Sequence, residues 1–277
     1  MPVNDELGKR MKENYEQVPK TRLMKRTPVI VRLDGTHFHS WARGFAKPFD
    51  DVLIKTMQET TKYLCENIQG CIFGYTQSDE ITLVLQDYKT FNTAAWFDYE
   101  VQKMCSVAAS TCTMFFNKQF KKNVEQDILD YKSSMVPQSV ELQQKQLAIF
   151  EAYQKAIDKG AMFDARVFNI PEEEVVNCIY WRCSDCVRNS IQMVGQANFS
   201  QKELQNKSCN KIQDMLFTER GINWNDLPTY KKRGTSCIKI KDDYGKSFWY
   251  VDLNMPEPVG DGRKYFEDIL NAVREEK

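Results

Sequence analysis

The sequence predicts an α+β fold in which one antiparallel sheet carries packed helices on one face. Short β-branched runs alternate with helical stretches, and their order is strand, helix, hairpin, helix, strand. The chain has 277 residues, of which 42% are hydrophobic and 27% charged, so it can bury a large core. We therefore expect residues 1–277 to form a single folded unit, large enough to be a catalytic domain.

The first predicted strand is the apolar run at 28–33, which begins with proline and is ended by Asp34. A loop is expected over 35–48. Apolar residues then recur at helical spacing over 50–67, and Asp50 is suited to cap that helix because its side chain can accept a hydrogen bond from the first turn.

Two short apolar runs, 71–75 and 81–85, flank the polar string at 77–80 and predict a hairpin. A long helix is expected over 93–120. Residues 121–160 are rich in Gln, Lys and Glu with sparse apolar positions, which predicts a polar helical insertion.

The last third of the chain, residues 171–277, is expected to complete the unit with helices and a hairpin. Proline and three glutamates at 171–174 favour a helix start, because acidic groups stabilise the positive helix end. A strand is expected over 163–170, just before this part of the chain. The elements predicted after it are a helix over 171–195, a capping box at 200–203, antiparallel strands over 235–241 and 247–253, and a helix over 261–275.

This order of elements fits a polymerase-palm-like sheet, in which the first strand can lie beside the hairpin. That adjacency would bring Asp34 and Asp79 together, although they are far apart in the chain. An aspartate after a strand is also a common turn residue, but two at strand ends favour a Mg²⁺ site, since a hard cation prefers oxygen ligands. Two ions there would support phosphoryl transfer, with a backbone oxygen of Gly35 as a further ligand and Glu80 assisting or orienting.

Both histidines of the chain, His37 and His39, lie in the loop after the first strand. Their spacing could supply half of a zinc site, but the nearby sequence offers no third nitrogen or thiol. Phosphate contact by backbone amides and His39 is the favoured interpretation. The lone C-x-x-C at 183–186 predicts buried, reduced thiols rather than a zinc site, because no second pair accompanies it.

Lys+Arg and Asp+Glu both number 38, so the total charge gives no support for nucleic-acid binding. Basic clusters at 25–26, at Arg43 with Lys47, and at 230–233 are either solvated surface or phosphate contacts. No run approaches the roughly 20 apolar residues that span a bilayer, so no membrane partner is expected. Nine scattered cysteines favour a reducing compartment, and we expect the cytoplasm.

The chain resembles the tRNA-histidine guanylyltransferase family, whose relatives add nucleotides to RNA 5′ ends. The resemblance spans most of the chain. The strings that carry it are Arg32-Leu33-Asp34-Gly35 with Phe38-His39, Phe45-Ala46-Lys47-Pro48, Gln77-Ser78-Asp79-Glu80, Phe163-Asp164-Ala165-Arg166-Val167, Trp181-Arg182, and Tyr230-Lys231-Lys232-Arg233-Gly234.

The resemblance implies a palm fold, a homotetramer, and a reaction in which ATP or GTP activates a 5′-monophosphorylated tRNA. The 3′-hydroxyl of an incoming nucleoside triphosphate then attacks the activated phosphate. It further implies roles for particular residues: two Mg²⁺ ions on Asp34, Gly35 and Asp79, and nucleotide contacts from Thr36, His37, Phe38, His39, Lys47, Ser78 and Asn189.

Two positions depart from the eukaryotic pattern of that family. Val187 stands where those enzymes carry histidine, and Thr36 where arginine is frequent. The pattern is more similar to the template-dependent branch, which repairs 5′-truncated tRNAs. Two alternatives stay open: a palm-fold nucleotidyl cyclase without an RNA substrate, and a non-catalytic RNA-binding module.

Overall fold

The structure is a computed structural model that describes residues 5–134 and 139–272. Residues 135–138 of the predicted insertion and 273–275 of the predicted last helix lie outside the described residues. The described residues form six strands: β1 (Val29–Gly35), β2 (Cys71–Gln77), β3 (Glu80–Leu85), β4 (Phe163–Asn169), β5 (Thr235–Lys241) and β6 (Ser247–Asp252).

The described helices follow the same chain order. They are α1 (Asp5–Met11), α2 (Phe38–Trp41), α3 (Asp51–Asn67), α4 (Val101–Ser133), α5 (Val140–Lys159), α6 (Glu172–Asn198), α7 (Gln201–Leu204), α8 (Cys209–Arg220), α9 (Thr229–Arg233) and α10 (Arg263–Ala272).

The strands form one sheet in the order β4-β1-β3-β2-β5-β6, and every neighbouring pair is antiparallel. The predicted adjacency of the first strand and the hairpin is confirmed, because β1 pairs with β3 and places Asp34 opposite Glu80. On its other side β1 pairs with β4, and Asp34 lies opposite Asp164. The end of β1 is therefore flanked by two further acidic positions.

Helices cover both faces of the sheet, so the expectation of helices on one face was wrong. One face packs Val31, Leu33 and Leu83 against helices α3, α4 and α5. The other packs Ile30 and Val84 against α6 and α10. The two faces arise because alternate residues of each strand point to opposite sides, and both sets are apolar here.

The start of α3 is fixed as predicted. The Asp50 carboxylate accepts a hydrogen bond from the Leu53 backbone N–H at 2.9 Å, which caps the helix. The same side chain also accepts from the Ala46 N–H at 2.9 Å and the Tyr153 hydroxyl at 2.8 Å. Burial raises the pKa of Asp50, and these three hydrogen bonds partly oppose that effect.

Two boundaries differ from the predictions. The expected loop after β1 contains the one-turn helix α2. The expected helix over 93–120 begins only at Val101, because Phe97 and Asp98 adopt positive φ angles of 50° and 53° within a 3₁₀ turn. Helix α4 then runs on to Ser133, into the predicted insertion.

Helix α5 also belongs to the predicted insertion, and it packs on the core. Its residues Ala152, Tyr153 and Ala156 are buried in the same cluster as α3 and α4. These positions recur at i, i+1 and i+4, so one stripe of an otherwise polar helix is apolar. The described part of the insertion is thus attached to the sheet layer along its second half.

Candidate active site

The structure brings Asp34 and Asp79 together at one end of the strands, where β1 ends and the β2–β3 hairpin turns. Asp34 is the second-last residue of strand β1, and Asp79 lies in the two-residue turn between β2 and β3. The Gly35 backbone N–H donates to the Asp79 carbonyl oxygen at 3.1 Å, which ties the two chain segments to each other. The strand order alone predicts this meeting, and the backbone hydrogen bond makes it close.

The turn itself is shaped by Ser78. This residue has a positive φ of 49°, and its hydroxyl donates to the Asp79 carboxylate at 2.9 Å. Burial raises the pKa of Asp79, the Ser78 hydrogen bond opposes the rise, and the charges of Asp34 and Glu80 add to it. Asp79 is therefore a carboxylate whose negative charge is poorly compensated by the protein.

Such a pair of mutually repelling carboxylates suits a divalent cation. Asp34 and Asp79 offer hard oxygen ligands. The Gly35 carbonyl belongs to the residue that directly follows Asp34 and ends β1. Among residues 5–134 and 139–272 no group of three or more His, Cys, Asp or Glu side chains could hold a metal ion. Two carboxylates with room for water and phosphate match Mg²⁺, which usually keeps part of its hydration shell.

Gly35 is required by packing. A Cβ built at this position would lie 2.2 Å from the Phe38 ring, and that ring is fixed between Trp41 and Phe163 at centroid distances of 4.7 and 5.2 Å. Any side chain at this position would therefore displace either the strand end or a packed aromatic ring.

The other predicted residues of this loop divide into two kinds. The Phe38 side chain is buried, so only its main chain can face a ligand. His37 and His39 are exposed, and His37 has a left-handed backbone conformation with φ 57°. The Thr36 N–H donates to the Met162 carbonyl oxygen at 2.8 Å, and Lys47 is exposed in the loop before α3.

Glu80 follows Asp79 but is committed to another partner. Its two carboxylate oxygens accept hydrogen bonds from Arg182 Nε at 2.6 Å and Arg182 Nη2 at 2.5 Å. Both side chains are buried, and Arg182 also contacts Asp185 at 3.2 Å. The ion pair joins helix α6 to the hairpin that holds Asp79, which favours an orienting role for Glu80.

A pocket opens beside the hairpin turn, between α3, α6, α9 and the end of β2. It encloses about 660 Å³ of empty space, part of it open to solvent. Ser78, Asn189 and Lys231 contribute polar groups to its wall, and most of the exposed wall surface is apolar. The apolar residues of the wall are Phe49, Leu53, Ile54, Met57, Cys186 and Met193. A mostly apolar pocket with a few polar groups is the usual form of a small-molecule site.

The three cations of the basic cluster at 230–233 have three different partners. Lys231 lies at the pocket and contacts the Asp51 carboxylate at 2.6 Å. The Lys232 ammonium donates to the Asn225 carbonyl oxygen at 2.6 Å, and Arg233 pairs with Glu257 at 3.2 Å. Only Lys231 of these three cations belongs to the pocket wall.

The two thiols of the C-x-x-C string are buried and free, as predicted. Burial raises the pKa of Cys183 and of Cys186 to about 12. Thiols that stay protonated at neutral pH are poor nucleophiles and poor metal ligands, so these residues serve as core. Among the described residues, no helix has the length and apolar character needed to cross a membrane.

Sequence reasoning missed several residues at this site. Arg182 entered only as part of a resembling string, and Phe49 and Met193 of the pocket wall were not singled out. Arg182 did leave a signal, because it lies three residues after Ile179 and four before Cys186 on the apolar stripe of α6. A charged residue within such a stripe predicts a buried partner.

Fold and site together define a nucleotidyltransferase with a palm-like sheet. A family model described as tRNAHis guanylyltransferase matches residues 8–171. A solved bacterial tRNA(His) guanylyltransferase-like protein in complex with ATP is 39% identical with a TM-score of 0.77, over 95% of this chain and 98% of that one. The chain belongs to the tRNAHis guanylyltransferase family.

Two further proteins are similar to this chain. A bacterial tRNA(His) guanylyltransferase-like protein in complex with GTP is 35% identical with a TM-score of 0.74, over 96% of this chain and 99% of that one. An uncharacterised protein of Acanthamoeba polyphaga mimivirus is 28% identical over 88% of this chain and 82% of its own length.

Proposed function

We propose that this protein is a Mg²⁺-dependent nucleotidyltransferase that extends tRNA at its 5′ end, either repairing a truncated end or adding guanosine. The observation that carries the proposal is the meeting of Asp34 and Asp79 beside a pocket of nucleotide-compatible character. The ATP and GTP complexes of its solved relatives support nucleoside triphosphates as its substrates.

Asp34, Asp79 and the Gly35 carbonyl would hold two Mg²⁺ ions. Bound there, the ions would polarise a phosphoryl group and stabilise the attacking and leaving oxygens. The protein's own part is to keep both carboxylates in place: Ser78 orients Asp79, and the Glu80–Arg182 ion pair fixes the strand that follows.

The pocket would hold the nucleoside part of a triphosphate. Its apolar wall suits a base, while Ser78, Asn189 and Lys231 supply polar contacts at its edge. The loop from Gly35 to His39 and Lys47 would contact the phosphates, since backbone amides and a lysine are common phosphate ligands. Phe38 would take part only through its main chain, because its ring is buried.

The proposed reaction has two displacements at phosphorus. In the first, an oxygen of the RNA 5′-monophosphate attacks the α-phosphorus of ATP or GTP, and pyrophosphate leaves. In the second, the 3′-hydroxyl of the incoming nucleoside triphosphate attacks the activated 5′-phosphorus, and the nucleoside monophosphate leaves. Cytoplasmic location and a homotetrameric assembly complete the proposal, the first from the cysteine content and the second from the family resemblance.

The test is incubation of 5′-monophosphorylated, 5′-truncated tRNA with ATP, the nucleoside triphosphates and Mg²⁺. We expect products lengthened at the 5′ end, and no lengthening with Asp34→Asn or Asp79→Asn. Asp98→Asn is the matched control, because this carboxylate is exposed and pairs with Arg22 and Lys25 away from the site. No extension with any nucleotide mixture, or cyclic nucleotide formation without RNA, would contradict the proposal.

A further inference from the structure

The two sides of the Asp34–Asp79 pair differ in character. The pocket lies on the β2 side, where Gln77, Ser78 and Thr235 line it. On the opposite side β1 is followed by β4, which is one of the two edge strands of the sheet. Asp164 and Arg166 of β4 are exposed beside the carboxylates, so this side offers a second approach to them.

Phosphoryl transfer sets a direction for the two reactants. The attacking oxygen of the RNA phosphate must lie opposite the leaving pyrophosphate of the nucleotide, so the RNA end needs a binding surface of its own outside the nucleoside pocket. With the nucleoside in the pocket, as proposed above, the exposed β4 side is available to the RNA end. This inference rests on the proposed function.

Arg166 supplies a cation on that side. It lies on β4 opposite Arg32, two residues from Asp164, and its side chain is 52% exposed. Its guanidinium nitrogens lie 3.7 Å from the Asp34 carboxylate and 3.3 Å from that of Asp164. Exposed ion pairs with such separations are weak, so the guanidinium is free to bind a phosphate, for which its forked donors are well suited.

Trp181 supplies an aromatic surface next to it. The Arg32 guanidinium lies 5.5 Å from the Trp181 ring centroid, and Arg32 is the cross-strand neighbour of Arg166. Trp181 is 53% exposed, whereas the other four tryptophans are buried at 8% exposure or less. Arg182 also contacts the ring at 4.5 Å, so the indole is held in place while much of it faces solvent.

We propose that Arg166 and Trp181 hold the 5′-phosphorylated end of the RNA substrate. Arg166 binds the terminal phosphate, and the exposed indole of Trp181 stacks on the terminal base. An unpaired base at an RNA end offers a free π-face, and aromatic stacking of this kind is insensitive to sequence. The β1–β4 surface thereby presents the phosphate to Asp34 and Asp79 from the side opposite the pocket.

The experiment compares two RNA hairpins of one sequence, one with a 5′-monophosphate and one with a 5′-hydroxyl, bound in Mg²⁺ without nucleoside triphosphate. We expect the wild type to prefer the phosphorylated hairpin, and Arg166→Ala to reduce that preference about tenfold while Arg166→Lys retains part of it. Arg22→Ala is the matched control, because Arg22 is 59% exposed but pairs with Asp98 elsewhere. Melting temperatures confirm that each variant is folded.

Trp181 is tested by affinity and by fluorescence. Trp181→Ala is expected to weaken the binding of both hairpins about tenfold. Trp181→Phe is expected to bind them with nearly wild-type affinity, because it keeps a stacking ring. RNA-induced quenching of tryptophan emission should be lost in Trp181→Phe, since the four remaining tryptophans are buried.

Two results would overturn the inference. One is an unchanged 5′-phosphate preference in Arg166→Ala. The other is an equal loss of ATP affinity in that variant, which would assign Arg166 to the nucleotide's phosphates. Neither readout needs turnover, so a failure of 5′ extension with the phosphate preference intact would count against the proposed function alone.

Discussion

Replacing Arg182 by methionine is expected to destabilise the fold strongly, because it leaves the Glu80 carboxylate buried without its partner. Both side chains are at most 9% exposed, and the pair makes two short charge-assisted hydrogen bonds of 2.6 and 2.5 Å. Breaking a buried pair by removing one partner costs about 3–5 kcal/mol. For a chain of this size that corresponds to a fall in the melting temperature of roughly 10 °C.

The assay is denaturant unfolding of the wild type, Arg182→Met, Glu80→Gln and the double variant. The double variant should be less destabilised than the sum of the single variants, because it buries no unpaired charge. Arg188→Met is the control: Arg188 also pairs with Asp185 but is 61% exposed, so we expect a change below about 1 kcal/mol. Single effects that simply add, or a cost for Arg182→Met as small as that of the control, would refute the reasoning.

Gly35→Ala is expected to cost about 1–3 kcal/mol, because the new methyl group would overlap the packed Phe38 ring; a wild-type melting temperature would contradict this. Asp79→Asn should raise the metal-free melting temperature at pH 7, since folding raises the pKa of Asp79 and so disfavours its charged form. That gain should vanish near pH 3, where the aspartate is protonated in both states, and a gain that persists there is the opposing result. Lys231→Met should weaken ATP binding and flatten its salt dependence relative to the exposed control Lys202→Met, and equal affinities would remove Lys231 from the nucleotide site.

The parts of the fold that depend on local patterns could be predicted from the sequence. The hairpin, the Asp50 cap of α3 and the capping box at Ser200 all formed where the residue types indicated. Each depends on neighbours within a few residues, so no distant partner had to be known. The meeting of Asp34 and Asp79 was predictable one step further, from the strand order of a palm-like sheet.

The parts that depend on distant partners were not predictable in the same way. The Glu80–Arg182 pair joins residues 102 apart in the chain, and nothing near Glu80 indicates which cation will reach it. The sequence also does not indicate that α6 covers the second face of the sheet. Strands that are apolar on both sides show that both faces are covered, but not which helix covers each face. Phe38 was expected to contact the nucleotide through the family resemblance, and nothing in the sequence near it indicates that its ring completes the core.

The most direct measurement is an anomalous-diffraction map of crystals soaked with Mn²⁺ and a nucleoside triphosphate. We predict manganese peaks within bonding distance of the carboxylate oxygens of both Asp34 and Asp79, with the triphosphate bound to the same ions. Manganese bound elsewhere, or contacting only one of the two aspartates while the triphosphate binds apart from it, would contradict the shared metal site.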